Sequence, residues 1–489
     1  MRQTLLAGSL VLAAGCAVGP SVKLGPPPAA VVVRDSATTP AARSFLDSLA
    51  TAREADRSDS TVLPLARPTA LALDSTGDIA WLAVLKDPQL LVLVRTAVAN
   101  NRDLRTAVQR VQEYRATLGA ARGDLFPQIT ANGTASTNQS IFGAFPPQKF
   151  DAVRITADLA WELDFWGRLR RQTQAARFDY ESKESDQRAT VLSLVSDVAT
   201  AYLELRELDD DLRIAEQTLA SRQSTLNLAR QRFEQGVISE LDVRQFEAEV
   251  ADPAARVAEF SRRRVQKENQ LSVLLGQEPG VIVRGNPLSE TVAAVDVPDS
   301  VPGSLLVRRP DVRRAEQEWA AATARIGVAI GNRLPKVSIT GSYGTQRPDF
   351  SKLFGSSAEV YQLQGGISIP LFTGGRLLNQ ERAARARAEQ GRSKYEQAVL
   401  SALQEANDAL VGVRTTRDQL VAQETQVRAL RRASALAEKR YQNGVSSYLE
   451  VLDAQRGLFT AELNMAQVER EYLTTTVQLY KALGGSWTE

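Results

Sequence analysis

Histidine is absent from this chain of 489 residues, and cysteine occurs once, at Cys16. The first absence removes the commonest general base and the commonest transition-metal ligand. The second leaves no disulfide framework and no paired-cysteine metal site. Carboxylates and hydroxyls remain, so catalysis is not excluded outright. The reading is nevertheless of a non-enzyme that needs no cofactor and no metal. A strong excess of one charge is missing too: the formal net charge is +2, which leaves no nucleic-acid footprint. After the N-terminus there is no apolar run of about 18 residues or more, and so no transmembrane helix. Such a chain crosses a membrane only as a closed β-barrel.

What is present is one unit, twice, at a constant offset of 208 residues. Asn101-Arg102-Asp103-Leu104 returns as Arg309-Pro310-Asp311-Val312, and Pro127 as Pro335. Gly167-Arg168-Leu169 returns as Gly375-Arg376-Leu377, and Gly236-Val237 as Gly444-Val445. A unit of this length is far longer than a solenoid repeat, and two copies imply a protomer with two-fold pseudosymmetry. The organisation expected is repeat 1 over 79–276, repeat 2 over 277–484 and a short tail over 485–489.

Met1-Arg2-Gln3 is a short positive lead, followed by an apolar stretch from Thr4 to Ala14 and by Ala13-Ala14-Gly15 before Cys16. That pattern predicts an export signal over 1–15. It resembles a bacterial lipobox, in which the cysteine is lipidated and becomes the first residue; Ala13 stands where leucine is more usual. A plain secretory signal with a bystander cysteine is the alternative. Residues 16–78 are rich in Pro, Ala, Ser, Thr and Asp without periodicity and read as an extended tether.

Within each unit the hydrophobic period changes twice. A helix ends before Pro127 or, over 310–332, before Pro335, and period-two alternation follows. Ile155, Ala157, Leu159, Trp161 and Leu163 fall on one side, with Thr156, Asp158, Glu162 and Asp164 on the other. Two hairpins are predicted, about 127–164 and 335–372, with strands that meet the ~9–11 residues needed to cross a bilayer at a tilt. Four strands cannot close a barrel, so membrane insertion would require oligomerisation.

The period then returns to helical, through Val195, Val198, Tyr202, Leu205, Leu212, Leu219, Leu226 and Phe233 in the first copy. Long helices over 168–235 and 376–442 are predicted, each ~100 Å at 1.5 Å per residue. Gly236 and Gly444 end them, and return helices follow over 238–275 and 446–483. Pro253 interrupts the first return helix where the second has Ala461, which costs ~3 kcal/mol unless a bend is wanted. Helices of this length alone would also suit a periplasmic coiled-coil scaffold; the strands separate the two readings.

The ordered motifs Asp87-Pro88-Gln89-Leu90, Asn101-Arg102-Asp103-Leu104, Asp124-Leu125-Phe126-Pro127, Arg308-Arg309-Pro310-Asp311 and Phe372-Thr373-Gly374-Gly375, with the two Arg-Phe/Tyr-x-x-Gly turns, resemble the TolC-type outer-membrane efflux proteins. The similarity is to the lipoprotein outer-membrane factors of tripartite pumps and covers Trp81 to Gly484. It implies an α+β membrane protein, a homotrimer whose strands make a 12-stranded β-barrel continuous with a periplasmic α-helical tunnel. The implied location is the bacterial outer membrane, with Cys16 lipid-anchored. The implied partners are a periplasmic adaptor and an inner-membrane pump of the RND type. The function expected is an exit duct that passes drugs or toxic small molecules without chemistry. The duct of a type I protein-secretion system is the alternative within the same fold. On this resemblance Gly236, Val237, Gly444 and Val445 are tips that contact the adaptor, and Asp242, Tyr441, Glu450 and Asp453 form a periplasmic gate. Without it, the glycines are helix stops and the acids are favourable charges in a first helical turn.

Overall fold

The computed structural model describes residues 18–21, 31–32, 85, 87–140, 148–291, 300–301, 308–348 and 359–485. Cys16 and nearly all of the tether expected over 16–78 lie outside the described residues, as do 486–489. The chain forms two compact units, one built around Val108–Asp186 and Arg313–Ala398, the other around Gln187–Val312 and Val399–Glu489.

In chain order the elements are β1 (Val31–Val32), α1 (Pro88–Asn100), α2 (Arg102–Gly123), β2 (Gln128–Ser140), β3 (Gln148–Leu163), α3 (Arg168–Glu234) and α4 (Glu240–Leu274). They continue with α5 (Leu288–Thr291), β4 (Ser300–Val301), α6 (Pro310–Gly331), β5 (Lys336–Arg347), β6 (Glu359–Ser368), α7 (Arg376–Gln442) and α8 (Tyr448–Ala482). Corresponding helices have equal lengths: 22 residues for α2 and α6, 67 for α3 and α7, 35 for α4 and α8. No described helix is long and apolar enough to cross a membrane.

The first unit holds an antiparallel sheet in the order β2-β3-β5-β6. Its register places Ile129, Leu159, Gly341 and Leu363 in one row across all four strands, and Ala131, Ala157, Tyr343 and Tyr361 in the next apolar row. The intervening row, Thr130, Asp158, Ser342 and Gln362, is polar. Because side chains alternate with period two, one face is apolar and the other hydrophilic. Asn132 donates to Asp158 at 2.6 Å and Arg154 to Ser342 at 3.1 Å on the hydrophilic face. The apolar face covers no core: Ile129, Tyr343, Tyr361, Leu363 and Ile367 are all exposed. Thr156 is the exception on the polar face, only 4 % exposed. It sits opposite Gly344, where an added Cβ would lie 2.0 Å from the Ile155 carbonyl.

Several boundaries differ from expectation. The second hairpin stops at Ser368 rather than running to 372, because Pro370 has no N–H for a further ladder bond. Ile369, Leu371 and Phe372 lie exposed beyond it. The helix predicted to open the first repeat is two helices, divided at Asn101, whose extended backbone (φ −57°, ψ 134°) ends α1. Its side-chain oxygen accepts from the Leu104 N–H at 2.9 Å and caps α2.

In the second unit the long helices α3 and α7 end alike. Gly236 and Gly444 both have φ +70°. Val237 N–H bonds the Arg232 carbonyl and Val445 N–H the Arg440 carbonyl, each at 2.9 Å, closing the six-to-one turn that a left-handed glycine permits. The return helices then begin at Glu240 and Tyr448, two residues later than expected, after Ser239 and Ser447 at the N-cap.

The core of this unit joins α1, α3, α4, α7 and α8 through Leu90, Val94, Val198, Leu205, Leu271, Leu410, Leu473 and Val477. Tyr202 is buried within it, donating to Asp87 at 2.8 Å and accepting from the Gly285 N–H at 2.8 Å. Burial, then the Asp87 bond, push the Tyr202 phenol well above its ordinary range.

Candidate functional site

The turns after α3 and α7 present matched apolar side chains to solvent. Val237 and Val445 are 66 % and 67 % exposed, and Leu241 and Leu449, one helical turn on, are 66 % and 67 %. The sequence reading named the two valines and missed the leucines, which the same 208-residue offset identifies as a second pair. Tight glycine turns hold these knobs, so little conformational entropy is lost when they are covered.

The four residues expected at the gate, Asp242, Tyr441, Glu450 and Asp453, have unequal surroundings. Asp242 closes a capping box: its carboxylate accepts from the Ser239 N–H at 2.9 Å and the Ser239 hydroxyl at 2.8 Å. Those two bonds hold its carboxyl below the usual carboxylate range. Glu450 occupies the corresponding position in α8, but Ser447 makes no side-chain cap bond; Glu450 pairs instead with Arg440 at 3.4 Å. Asp453 is exposed. Among the described residues no hydrogen bond or ion pair links Asp242, Glu450 and Asp453 to one another. Tyr441 is the best-tethered of the set. Arg232 donates to its hydroxyl at 2.8 Å and lies 5.2 Å from its ring centroid, tying the end of α3 to the end of α7. Tyr448 meets the Tyr441 ring edge-on at 5.4 Å and stacks obliquely on Phe246 at 3.9 Å. Phe233, counterpart of Tyr441 in the first repeat, is exposed.

Further along, Pro253 is buried inside α4 without ending the helix. The carbonyl its missing N–H leaves free is that of Glu249, four residues earlier. Arg222 fills the vacancy, donating to the Glu249 carbonyl at 2.8 Å and pairing with the Glu249 carboxylate at 2.9 Å. Arg456 from α8 also pairs with Glu249, and the Arg222 guanidinium lies 5.7 Å from the Phe459 ring centroid. Burial, then the Glu249 charge, push the nearby Tyr448 phenol up to about 12. The second repeat carries Leu430, Gly457 and Ala461 at the positions of Arg222, Glu249 and Pro253. That triple replacement is the sequence signal for the cluster.

The first unit anchors the sheet and the start of α3. The Asp164 carboxylate caps α3, accepting from Leu169 N–H at 3.1 Å and Arg170 N–H at 2.9 Å. Trp161 donates to the Leu125 carbonyl at 3.1 Å and Trp166 to the Pro335 carbonyl at 2.7 Å. Arg171 donates at 2.9 Å to each of the carbonyls of Val18 and Gly19, fixing the short described stretch that follows Cys16 in sequence. Among the described residues no cluster of His, Cys, Asp or Glu fits a metal ion.

Comparison with known proteins matches the duplicated fold. A family model for the outer membrane efflux protein matches the chain twice, over 93–277 and 301–485, and both boundaries differ by the repeat offset. The toluene efflux pump outer membrane protein TtgC of Pseudomonas putida is 35% identical over 434 residues, 87% of this chain and 89% of the relative. The cation efflux system protein CusC of Escherichia coli is 31% identical over 418 residues, 86% of this chain and 90% of the relative. Among solved structures, the outer-membrane channel OprN superposes with a TM-score of 0.81 at 30% identity, covering 96% of this chain and 99% of that one. These relatives are channels rather than enzymes. The chain belongs to the outer membrane efflux protein family.

Proposed function

We propose that three copies of this chain close into a 12-stranded barrel in the outer membrane, leading into a helical periplasmic tunnel through which drugs or toxic small molecules leave. The observation that carries this reading is the sheet: four strands with an exposed apolar face and two unpaired edges, β2 and β6. In lipid those edges would leave backbone groups without partners. The strands alternate in direction, so β6 of one copy meets β2 of the next antiparallel and the edges disappear.

In this reading Cys16 carries the lipid anchor, and the knobs Val237, Leu241, Val445 and Leu449 receive a periplasmic adaptor. An inner-membrane pump supplies the energy, and Asp242, Tyr441, Glu450 and Asp453 line the periplasmic aperture. The named relatives handle toluene in one case and cations in another, so the shared element is a wide passive duct rather than a selective site. The deciving experiment is seminative gel migration and single-channel recording of purified protein. A heat-sensitive trimer that forms ion-conducting pores is expected; a monomer without pore activity, soluble without detergent, would overturn the proposal. Replacement of Cys16 by Ser should abolish labelling by radioactive palmitate.

A further inference from the structure

Outside the tips, the second unit contains a cavity of about 650 Å³ between α3, α4 and α8. That volume lies in the ~300–1,000 Å³ range of small-molecule sites. Its apolar surface comes from Leu208, Phe260 and Leu463. Leu208 and Phe260 are themselves buried in a small hydrophobic core with Leu212 and Phe459. The rest of the lining is polar: four neutral amides, Gln266, Gln270, Asn464 and Gln467, and six charged side chains, whose charges are almost all matched. Lys267 pairs with Glu204 at 2.5 Å, Arg470 with Glu207 at 3.0 Å, and Arg263 with Glu259 at 3.8 Å.

One lining group has no such match. Asp211 is 7 % exposed and borders the cavity, yet among the described residues no hydrogen bond or ion pair reaches its carboxylate. Its carboxylate oxygens open onto the cavity rather than being sealed in protein, and a cation entering there would give this largely buried charge the partner it lacks. Every cationic side chain at the cavity already has a carboxylate, so an anionic ligand would have to break a pair, whereas a cation would complete one. We propose that this cavity binds an amphipathic organic cation, its ammonium group against Asp211 and its hydrocarbon body against Phe260, Leu208 and Leu463.

The groups that bear on Asp211 are Glu207 and Asp210 on its own helix, Arg263 on α4 and Arg470 on α8. Burial first, then the Glu207 charge, raise the Asp211 carboxyl to about 7, against the pull of both arginines. A permanently charged cation is therefore held above that pH, where the carboxyl is ionised, and released below it.

The test is equilibrium titration of the purified full-length protein in lipid nanodiscs with ethidium, read by fluorescence anisotropy, with fluorescein as the anionic control. Saturable ethidium binding is expected, about tenfold weaker at pH 6 than at pH 8. Asp211→Asn should weaken it at least tenfold and remove the pH dependence. Gln467→Trp, an exposed change at the cavity rim, should block entry without touching the core. Absence of saturable binding, unchanged affinity in both variants, or equal binding of fluorescein would overturn the proposal. The measurement is independent of transport: its failure leaves the duct reading intact, and a protein that does not conduct can still bind the dye.

Discussion

Asn101 and Arg309 meet the same structural need from equivalent places in the two repeats. Each donates a side-chain N–H at 3.0 Å to a carbonyl at the end of a return helix, Leu274 for Asn101 and Ala482 for Arg309. The last carbonyls of a helix have no partner within it, so both contacts satisfy groups that burial would otherwise strand. The remaining chemistry differs. Asn101 also caps α2 through Leu104, whereas Arg309 holds Asp311 with two bonds, at 3.0 and 2.8 Å, and reaches Glu405 at 2.5 Å.

Arg309→Ala should therefore destabilise the protein more than Asn101→Ala. The arginine is buried while Asp311 and Glu405 retain some solvent. A loss on the order of 3 kcal/mol is expected for Arg309→Ala, against roughly 1–2 kcal/mol for Asn101→Ala. Burial pushes the Asp311 carboxyl up, but Arg309 outweighs it and the net shift is downward. This pair's contribution is thus complete above the ordinary carboxylate pKa of ~3.9 and is lost as pH falls through the lowered native value. Thermal unfolding of both variants between pH 7 and pH 3 checks the order and the sign. Equal midpoints for the two variants at pH 7 would refute it.

Pro253 and Arg222 should behave as a coupled pair. With proline in place, Arg222→Ala leaves the Glu249 carbonyl and carboxylate short of a partner and should cost ~3 kcal/mol or more. Pro253→Ala restores an N–H four residues after Glu249, as Ala461 supplies in the second repeat. The double variant should therefore lose less stability than the two single changes added together, by ~0.5–3 kcal/mol. A double-mutant cycle by chemical denaturation measures this, and strict additivity would mean that Arg222 is not compensating for the proline.

These two clusters show where sequence reading stopped. Duplication, helix lengths and strand alternation were legible because they depend on local period and on punctuation by Gly236, Gly444, Pro127 and Pro335. The links Arg232–Tyr441 and Arg222–Glu249–Arg456 join residues that are distant in sequence, and no periodicity records which faces of two helices meet. The end of β6 was misjudged because the apolar alternation continues through Ile369 and Leu371 although Pro370 has already ended the ladder. Phe233 continues the helical spacing yet is exposed, because the period says nothing about where the partner helix ends.

The two faces of the sheet should tolerate charge differently. Leu363→Asp places a carboxylate on the apolar face and should impair barrel assembly by up to ~2 kcal/mol near the midplane, less than a basic residue would. Thr130→Asp, on the hydrophilic face directly opposite Asp158, should cost less, only the ~0.2–1 kcal/mol of a like-charge cross-strand pair. Thr156 faces the same way but is buried opposite Gly344, so Thr156→Asp should be damaging despite its polar surroundings. Yield of heat-resistant oligomer from outer-membrane fractions ranks the three. Equal loss for Leu363→Asp and Thr130→Asp would show that the sheet does not separate lipid from a lumen.

At the tips, tether and charge should make separable contributions to conduction. Tyr441→Phe removes the hydroxyl that accepts from Arg232 while keeping the ring, so it loosens α3 from α7 without emptying the aromatic cluster. A hydrogen bond to a charged donor is worth ~1.5–3 kcal/mol, which corresponds to a roughly 10- to 150-fold change in an opening equilibrium. More frequent opening in planar bilayers, with ion preference unchanged, is the expected result. Asp453→Asn should do the reverse, leaving opening frequency alone while weakening cation preference and block by multivalent cations from the periplasmic side. Asp242 is a poor probe of charge, because its substitution also removes a capping box worth ~0.5–2 kcal/mol. Ionic strength provides the internal check: the Debye length falls from ~10 Å at 0.1 M to ~3 Å at 1 M. Any preference set by Asp453 should shrink over that range, while the gain from Tyr441→Phe persists. If recordings from both variants match the unmodified channel at every salt concentration, these residues do not form the gate, and Asp453 is no more than a solvated charge on α8.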